Sequence, residues 1–127
     1  MALVGMHHVV VRVEDFDASV KQWESITGKQ VDRTDQNDGL GIKQAFFDLP
    51  GGGFIEIVAP TDPEGAVGKA IAGRGEGIHT LSMSVDNMAD TIDGLKSAGV
   101  QLIGEGGPQV FIHPKSANGV LVQLSEG

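Results

Sequence analysis

Glu56, His8 and Arg12 are the side chains whose types and strand positions could do chemistry. Glu56 stands in an apolar strand, and a carboxylate on an inward face needs a partner because an unpaired buried charge is unstable. Such a carboxylate can have a raised pKa and act as a general base. His8 can bind a metal ion or hydrogen-bond Glu56 without a metal. Arg12 can bind a carboxylate or phosphate of a ligand, or stay solvated at the mouth of the site.

An internal repeat predicts how these side chains are positioned. The segment from Met6 to Phe16 resembles the segment from Ile78 to Met88 at an offset of 72 residues, which is 80 minus 8. Each segment reads as a strand, an acidic turn and the start of a helix, and each half later ends on another strand. We therefore predict one α+β domain over residues 1–127, built from two β-α-β-β-β modules at 6–60 and 78–125 with a linker at 61–77. Together the modules should form a mixed sheet with a cleft.

Periodicity predicts the individual elements. Apolar residues at helical spacing, ended by a glycine, indicate helices at 16–26 and 88–96, and a shorter helix-like run lies at 66–72. Strands are predicted at 7–13, 30–33, 42–49 and 54–58 in the first module, and at 78–85, 100–103, 109–113 and 120–124 in the second. Asn118-Gly119 indicates a hairpin turn.

Strand alternation assigns the predicted faces. In the two opening strands the side chains expected to pack on a helix are Val9, Val11 and Val13, then Leu81, Met83 and Val85. The side chains expected to face the cleft are His8, Val10 and Arg12, then Thr80, Ser82 and Ser84. His79 should therefore point away from the cleft, unless a bulge shifts the register.

Composition limits the class of protein. The chain has 127 residues, 40% of them hydrophobic and 20% charged, with no cysteine and a formal net charge of −8. The absence of cysteine excludes disulfides, thiolate nucleophiles and sulfur-based zinc sites. A strongly negative chain with scattered basic residues predicts no binding to nucleic acid. No apolar run is long enough to span a bilayer and no signal peptide is evident, so we expect a cytoplasmic protein that does not bind membranes.

Five segments resemble the vicinal oxygen chelate superfamily, which includes glyoxalase I, extradiol dioxygenases and antibiotic-resistance proteins. The segments are residues 8–10, 41–44, 55–60, 77–80 and 113–124, the last of which is the most specific match. Within the superfamily the chain is most similar to the methylmalonyl-CoA epimerases. The resemblance implies a glyoxalase-like fold, a homodimer, and a small oxygenated or acyl-thioester ligand.

The resemblance also implies a metal site, carried over position by position. Its four positions are His8, Glu56, Thr80 and Gln123 in this chain, and the epimerases have a histidine and a glutamate at the last two. They also have a glutamate as a proton-transfer base at the position of Gln44. A neutral amide and a hydroxyl are poorer ligands than a carboxylate and an imidazole. One divalent ion (zinc, nickel, cobalt or manganese) bound by His8, Glu56 and Gln123 with water, and no metal at all, are both consistent with these residues.

Three functions follow as hypotheses. The first is an epimerase-like protein in which Glu56 is the catalytic group, Gln44, Thr80, Gln123 and Arg12 bind the ligand, and ordinary epimerase turnover is not expected because glutamine cannot exchange a proton. The second is a non-catalytic binding protein of the bleomycin-resistance type. The third is a metal-dependent lyase of the glyoxalase I type, with His79 recruited by a bulge. The sequence leaves open whether the protein is an enzyme; as an enzyme it would be an isomerase or a lyase.

Overall fold

A computed structural model describes residues 3–126, so residues 1, 2 and 127 of the predicted single domain lie outside the described residues. The chain divides into two compact units. The first unit is Val9–His79, and the second contains residues 80–126 together with residues 3–8. Residues 61–77, predicted as a linker, belong to the first unit, and the division into two modules stays a prediction.

The elements alternate strands with three short α-helices. In chain order they are β1 Leu3–Arg12, α1 Phe16–Thr27, β2 Arg33–Asn37, β3 Ile42–Asp48, β4 Phe54–Pro60, α2 Ala66–Arg74, β5 Gly77–Val85, α3 Met88–Ser97, β6 Leu102–Ile103, β7 Val110–Ile112 and β8 Val122–Glu126. A single 3-10 turn, Pro114–Ser116, precedes β8. Between residues 3 and 126, no helix has the length and apolar content needed to cross a membrane.

In the first unit, α1 covers one face of the sheet. The strand order there is β2-β3-β4-β1, with antiparallel pairs between β2 and β3 and between β3 and β4. The Asp15 carboxylate accepts a hydrogen bond from the Ala18 N–H and caps the helix, and Gly28 ends it at a φ of 74°. Side chains of α1, including Trp23, pack on buried Phe47 and Ile57, which are 0% exposed.

The opposite face of this unit is partly covered by α2. Val67 of α2 packs with Val10, Ile42 and Val58 in a second cluster that also contacts Ile71. The predicted linker is thus a helix with a packing role, and Val10, predicted to line a cleft, lies in this core. The rest of the same face carries Gln44 and Phe46 of β3 and Phe54 and Glu56 of β4.

The second unit combines parallel and antiparallel pairing. Its strand order is β5-β8-β7-β6, with β5 and β8 parallel and the other pairs antiparallel. Met83 and Val85 face α3 and pack with Val122 and Leu124, as alternation predicted. The sheet is therefore mixed and the fold is α+β.

The strand predicted at residues 30–33 and the predicted hairpin turn differ from the structure. The strand predicted at residues 30–33 is β2 at Arg33–Asn37, because apolar Val31 packs beside the core while the polar, fully exposed residues form the edge strand. Asn118 and Gly119 both have positive φ, 55° and 88°, and form a turn as predicted. That turn belongs to a longer connection that also contains the 3-10 turn, so it is not a two-residue hairpin.

Candidate functional site

Glu56 and Gln44 meet on the face of the first unit that lies opposite α1. Gln44 is on β3 and Glu56 on β4, and the strand register places Glu56 directly opposite Phe46 and Gln44 opposite Val58. The two polar residues are therefore diagonal neighbours on one face. The Gln44 Nε2 donates a hydrogen bond of 2.9 Å to the Glu56 Oε2. Two residues selected from the sequence are thus brought into contact.

The surroundings of Glu56 are mostly apolar. Phe46 lies across from it, and its own strand places Phe54 and Val58 on the same face. Burial raises the pKa of Glu56 above its usual value of 4.5, and the hydrogen bond from Gln44 opposes this effect only in part. A half-buried carboxylate with a raised pKa has the properties of a general base.

Arg12 is buried rather than solvated, which makes the solvated alternative wrong. Its side chain is 6% exposed. The Nε donates to the Gly75 carbonyl oxygen at 2.7 Å and the Nη1 donates to the Ile78 carbonyl oxygen at 2.9 Å. Burial, and secondarily the charge of Arg74, lowers the pKa of Arg12. Its ligand-binding role stays a prediction.

His79 has a buried nitrogen at the start of β5. Its Nδ1 has no hydrogen-bond partner within residues 3–126. Burial and then the charges of Arg12 and Arg74 lower the pKa of His79, so the imidazole is neutral near pH 7. Arg74 was not among the residues predicted from the sequence to belong to a site. Its position just before Gly75, the glycine that ends α2, was the available signal.

The second unit contains buried polar side chains on β5. Thr80 is 5%, Ser82 0% and Ser84 8% exposed. The Ser82 and Ser125 hydroxyl oxygens are 2.8 Å apart in a hydrogen bond. Gln123, on β8, lies beside Ser82 in the parallel register. Ligand binding by Thr80 and Gln123 stays a prediction.

His8 forms a hydrogen bond with its sequence neighbour. The Nδ1 atoms of His7 and His8 are 2.8 Å apart, so one of the two rings donates to the other. Burial, followed by the charge of His7, lowers the pKa of His8 from 6.5 to about 4. The ring is therefore neutral near pH 7, which is the form that binds metals.

The donor atoms of the metal ligands implied by the resemblance show how well these residues could hold a metal ion. Over residues 3–126 no group of three His, Cys, Asp or Glu side chains is arranged to hold a metal ion. Of the predicted set, Glu56 belongs to the first unit, whereas His8 and Gln123 belong to the second. Glu56 is already hydrogen-bonded to Gln44. A site completed by the Gln123 amide and water is weak in donor strength, so these residues do not fit a tightly bound divalent ion.

Comparisons with known proteins agree with this fold and with the resemblance. Residues 7–116 match the family model described as the Glyoxalase/Bleomycin resistance protein/Dioxygenase superfamily. The ethylmalonyl-CoA/methylmalonyl-CoA epimerase of Cereibacter sphaeroides is 31% identical over 134 residues, which cover 95% of this chain and 96% of that protein. The crystal structure of methylmalonyl-CoA epimerase from Mycobacterium tuberculosis is 32% identical, with a TM-score of 0.83 over 98% of this chain and 88% of that chain.

A further similar structure contains a ligand. It is described as methylmalonyl-CoA epimerase in complex with methylmalonyl-CoA and NH4+, and it is 27% identical with a TM-score of 0.81 over 99% of this chain and 96% of that chain. The predicted superfamily and the predicted glyoxalase-like fold are thereby confirmed. Because the family model spans most of the sequence, the chain belongs to the Glyoxalase/Bleomycin resistance protein/Dioxygenase superfamily.

Proposed function

We propose that this protein binds a small acyl-thioester or related oxygenated ligand, and that Glu56 is its one proton-transferring group. The observation that carries the proposal is the pairing of Glu56, whose pKa is raised by burial, with the neutral amide of Gln44. A similar structure holds methylmalonyl-CoA, which supports an acyl-thioester as the ligand class.

The chemistry follows from the number of proton-transferring groups. Inverting a carbon beside a thioester carbonyl requires one group to remove the proton and a second group to return a proton on the opposite face. Glu56 can accept the proton, which leaves an enolate and a neutral carboxylic acid. The Gln44 amide has no proton to exchange near neutral pH. A single base therefore returns the proton to the face from which it came.

Gln44 has two possible contributions to this reaction. One N–H of its amide orients the Glu56 carboxylate. The second N–H is a donor of the kind that stabilises a developing enolate oxygen. Gln44 thus binds and orients, whereas Glu56 moves the proton.

Hydrogen exchange in heavy water tests the proposal. One stereoisomer of methylmalonyl-CoA is incubated with the protein in D2O, deuterium uptake at the α-carbon is measured by mass spectrometry, and inversion is measured by chiral analysis. The expected result is deuterium uptake faster than the uncatalysed rate, without a matching amount of inverted product. Inversion at the rate of exchange would contradict the single-base proposal.

Two variants separate the roles. Glu56→Gln keeps the shape of the side chain and removes its proton acceptor, so exchange should fall to the uncatalysed rate. Gln44→Glu supplies a second carboxyl group and should add inversion to exchange. Gln36→Glu, on exposed strand β2, adds the same charge away from the pair and serves as the control.

A non-catalytic binding protein is the second candidate. The buried hydroxyl groups of Thr80, Ser82 and Ser84 favour it, because they are hydrogen-bonding groups that do not titrate. Ligand-dependent thermal stabilisation without any deuterium uptake would support this candidate over the first. The homodimer stays a prediction, to be measured by light scattering after size-exclusion chromatography.

A further inference from the structure

The end of α2 and the start of β5 are held by the guanidinium group of Arg12. Its hydrogen bonds go to the carbonyl oxygens of Gly75 and Ile78, at 2.7 and 2.9 Å. Arg74 immediately precedes Gly75, and His79 immediately follows Ile78. Arg74 and His79 are therefore the sequence neighbours of the two carbonyl groups that the buried guanidinium binds. The charge of Arg74 lowers the pKa of Arg12, and the charges of Arg12 and Arg74 lower the pKa of His79, which agrees with that proximity.

Within residues 3–126, the arginines at this place form no ion pair. The ion pairs among residues 3–126 are Lys29–Asp32, Arg33–Asp48 and Lys96–Glu105, so neither Arg12 nor Arg74 takes part in one. Glu76 follows Arg74 and Gly75 in sequence, and its carboxylate accepts a hydrogen bond of 2.8 Å from the Glu14 N–H. The net charge of the chain is −8, yet neither of these arginines forms an ion pair with a carboxylate within residues 3–126. A buried guanidinium without a counter-charge is also costly in free energy.

Gly77 leaves space beside the cations. At the position that a Cβ of Gly77 would occupy, the only heavy atom within 4 Å from the described residues other than 76–78 is the Arg12 Nη2, at 3.9 Å. The φ of Gly77 is 154°, a conformation that side-chain-bearing residues rarely adopt. Nearby, the buried Nδ1 of His79 has no hydrogen-bond partner within residues 3–126. An arginine nitrogen thus lies beside Gly77, and His79, two residues further along β5, is on the same face of the strand.

We propose that Arg12, Arg74 and His79 form an oxyanion-binding site, in which a carboxylate or phosphate group lies over Gly77. Guanidinium groups bind both anions through paired N–H donors, and a neutral imidazole protonated at Nδ1 adds a third donor. The anion would compensate the charge of buried Arg12. This site does not depend on the proposed function, because it needs no proton transfer by Glu56.

Anion titration of the full chain tests the proposal. Inorganic phosphate and, separately, acetate are added at pH 7.5 and constant ionic strength, with sodium chloride as the balancing salt. Binding is followed by calorimetry and by the nitrogen chemical shifts of the His79 ring. A saturable shift with phosphate identifies a phosphate site, and a saturable shift with acetate identifies a carboxylate site. Either result supports the proposal, and the absence of a saturable response to both anions overturns it.

Matched variants distinguish a built site from general charge attraction. Arg74→Gln changes an exposed side chain and should weaken binding by about tenfold or more, since a charge-assisted hydrogen bond contributes about 1.5–3 kcal/mol. His79→Phe keeps a ring and should also weaken binding, measured by calorimetry. Arg33→Gln removes the same charge from exposed β2 and should leave the affinity unchanged. Equal weakening by Arg33→Gln and Arg74→Gln would overturn the proposal.

Discussion

The Gln44 amide donates a hydrogen bond of 2.9 Å to the Glu56 carboxylate across strands β3 and β4. The bond favours the charged carboxylate, whereas the surrounding apolar side chains disfavour it more strongly. Glu56 is thus held in one orientation without losing its affinity for a proton. A base that is oriented but not neutralised is suited to removing a proton from a carbon acid.

The raised pKa of Glu56 predicts a pH-dependent stability difference. Between the unfolded value of 4.5 and the higher folded value, the folded state binds more protons, so Glu56 makes the free energy of unfolding fall as pH rises through this window. Glu56→Gln removes the titration. The free energy of unfolding of the variant minus that of wild type should therefore be more positive at pH 8 than at pH 4. Urea unfolding at both pH values measures this difference.

The exposed residue Glu64 provides the control for this experiment. Glu64→Gln removes the same charge from the loop before α2 and should show no comparable pH-dependent gain. A Glu56→Gln variant whose stability relative to wild type is equal at pH 4 and pH 8 would contradict the raised pKa.

Periodicity predicted the elements that have a clear apolar face. Helix α1 was predicted at 16–26 and is found at Phe16–Thr27, because Asp15 caps it and Gly28 ends it. Strand β2 was misplaced because its five residues are polar and exposed on both faces, so that alternation carries no signal there. Sequence periodicity therefore locates helices and strands that bury only one face.

The candidate site was predictable to a similar degree. The sequence predicted an inward strand face for Glu56, which lies on the face opposite α1, and the family resemblance selected Gln44. Their hydrogen bond depends on the pairing register of β3 with β4, which a single strand pattern does not contain. The bonds of Arg12 depend on the path of the chain after α2, so the sequence showed the charged residue but not its two carbonyl partners.

The lowered pKa of His8 predicts a loss of stability in acid. The value falls from 6.5 to about 4 on folding, so the unfolded state binds more protons between these two pH values. The stabilising effect of neutral His8 is fully present above pH 6.5 and is lost as pH falls toward 4. His8→Gln should flatten the dependence of Tm on pH in this window. An unchanged slope in the variant would contradict the assignment to His8.

Replacement of Arg12 should destabilise the first unit. Lysine has one nitrogen head and cannot reproduce the two separate bonds from Nε and Nη1 to Gly75 and Ile78. Arg12→Lys should lower the free energy of unfolding by about 1–3 kcal/mol, the cost of leaving buried polar groups unpaired. The exposed Arg33, paired with Asp48, is the control, and Arg33→Lys should cost less than about 1 kcal/mol. Equal costs in urea unfolding would refute the role given to Arg12.

Donor chemistry predicts weak metal binding. Thr80 and Gln123 stand where the resemblance implies a histidine and a glutamate, and a neutral amide is a poorer ligand for divalent ions than a carboxylate. Protein purified without chelators should hold well below one divalent ion per chain by mass spectrometry. The Thr80→His, Gln123→Glu double variant should raise this content. A full equivalent of metal in wild type, lost in His8→Ala, would instead support the lyase hypothesis.

Replacement by alanine should have opposite effects on stability at two glycines of α2, Gly68 and Gly73. A Cβ at Gly68 would lie 2.5 Å from the Asp62 carbonyl oxygen and 2.7 Å from Pro63 backbone atoms, so Gly68→Ala must push the helix away from the preceding loop. A Cβ at Gly73 would meet no described heavy atom within 4 Å, and alanine there should stabilise the helix by up to about 1 kcal/mol. Because α2 ends at Arg74, displacement of the helix should also weaken anion binding in Gly68→Ala but not in Gly73→Ala. Urea unfolding and phosphate titration of the two variants measure both effects, and equal behaviour of the pair would show that α2 does not pack as closely as described.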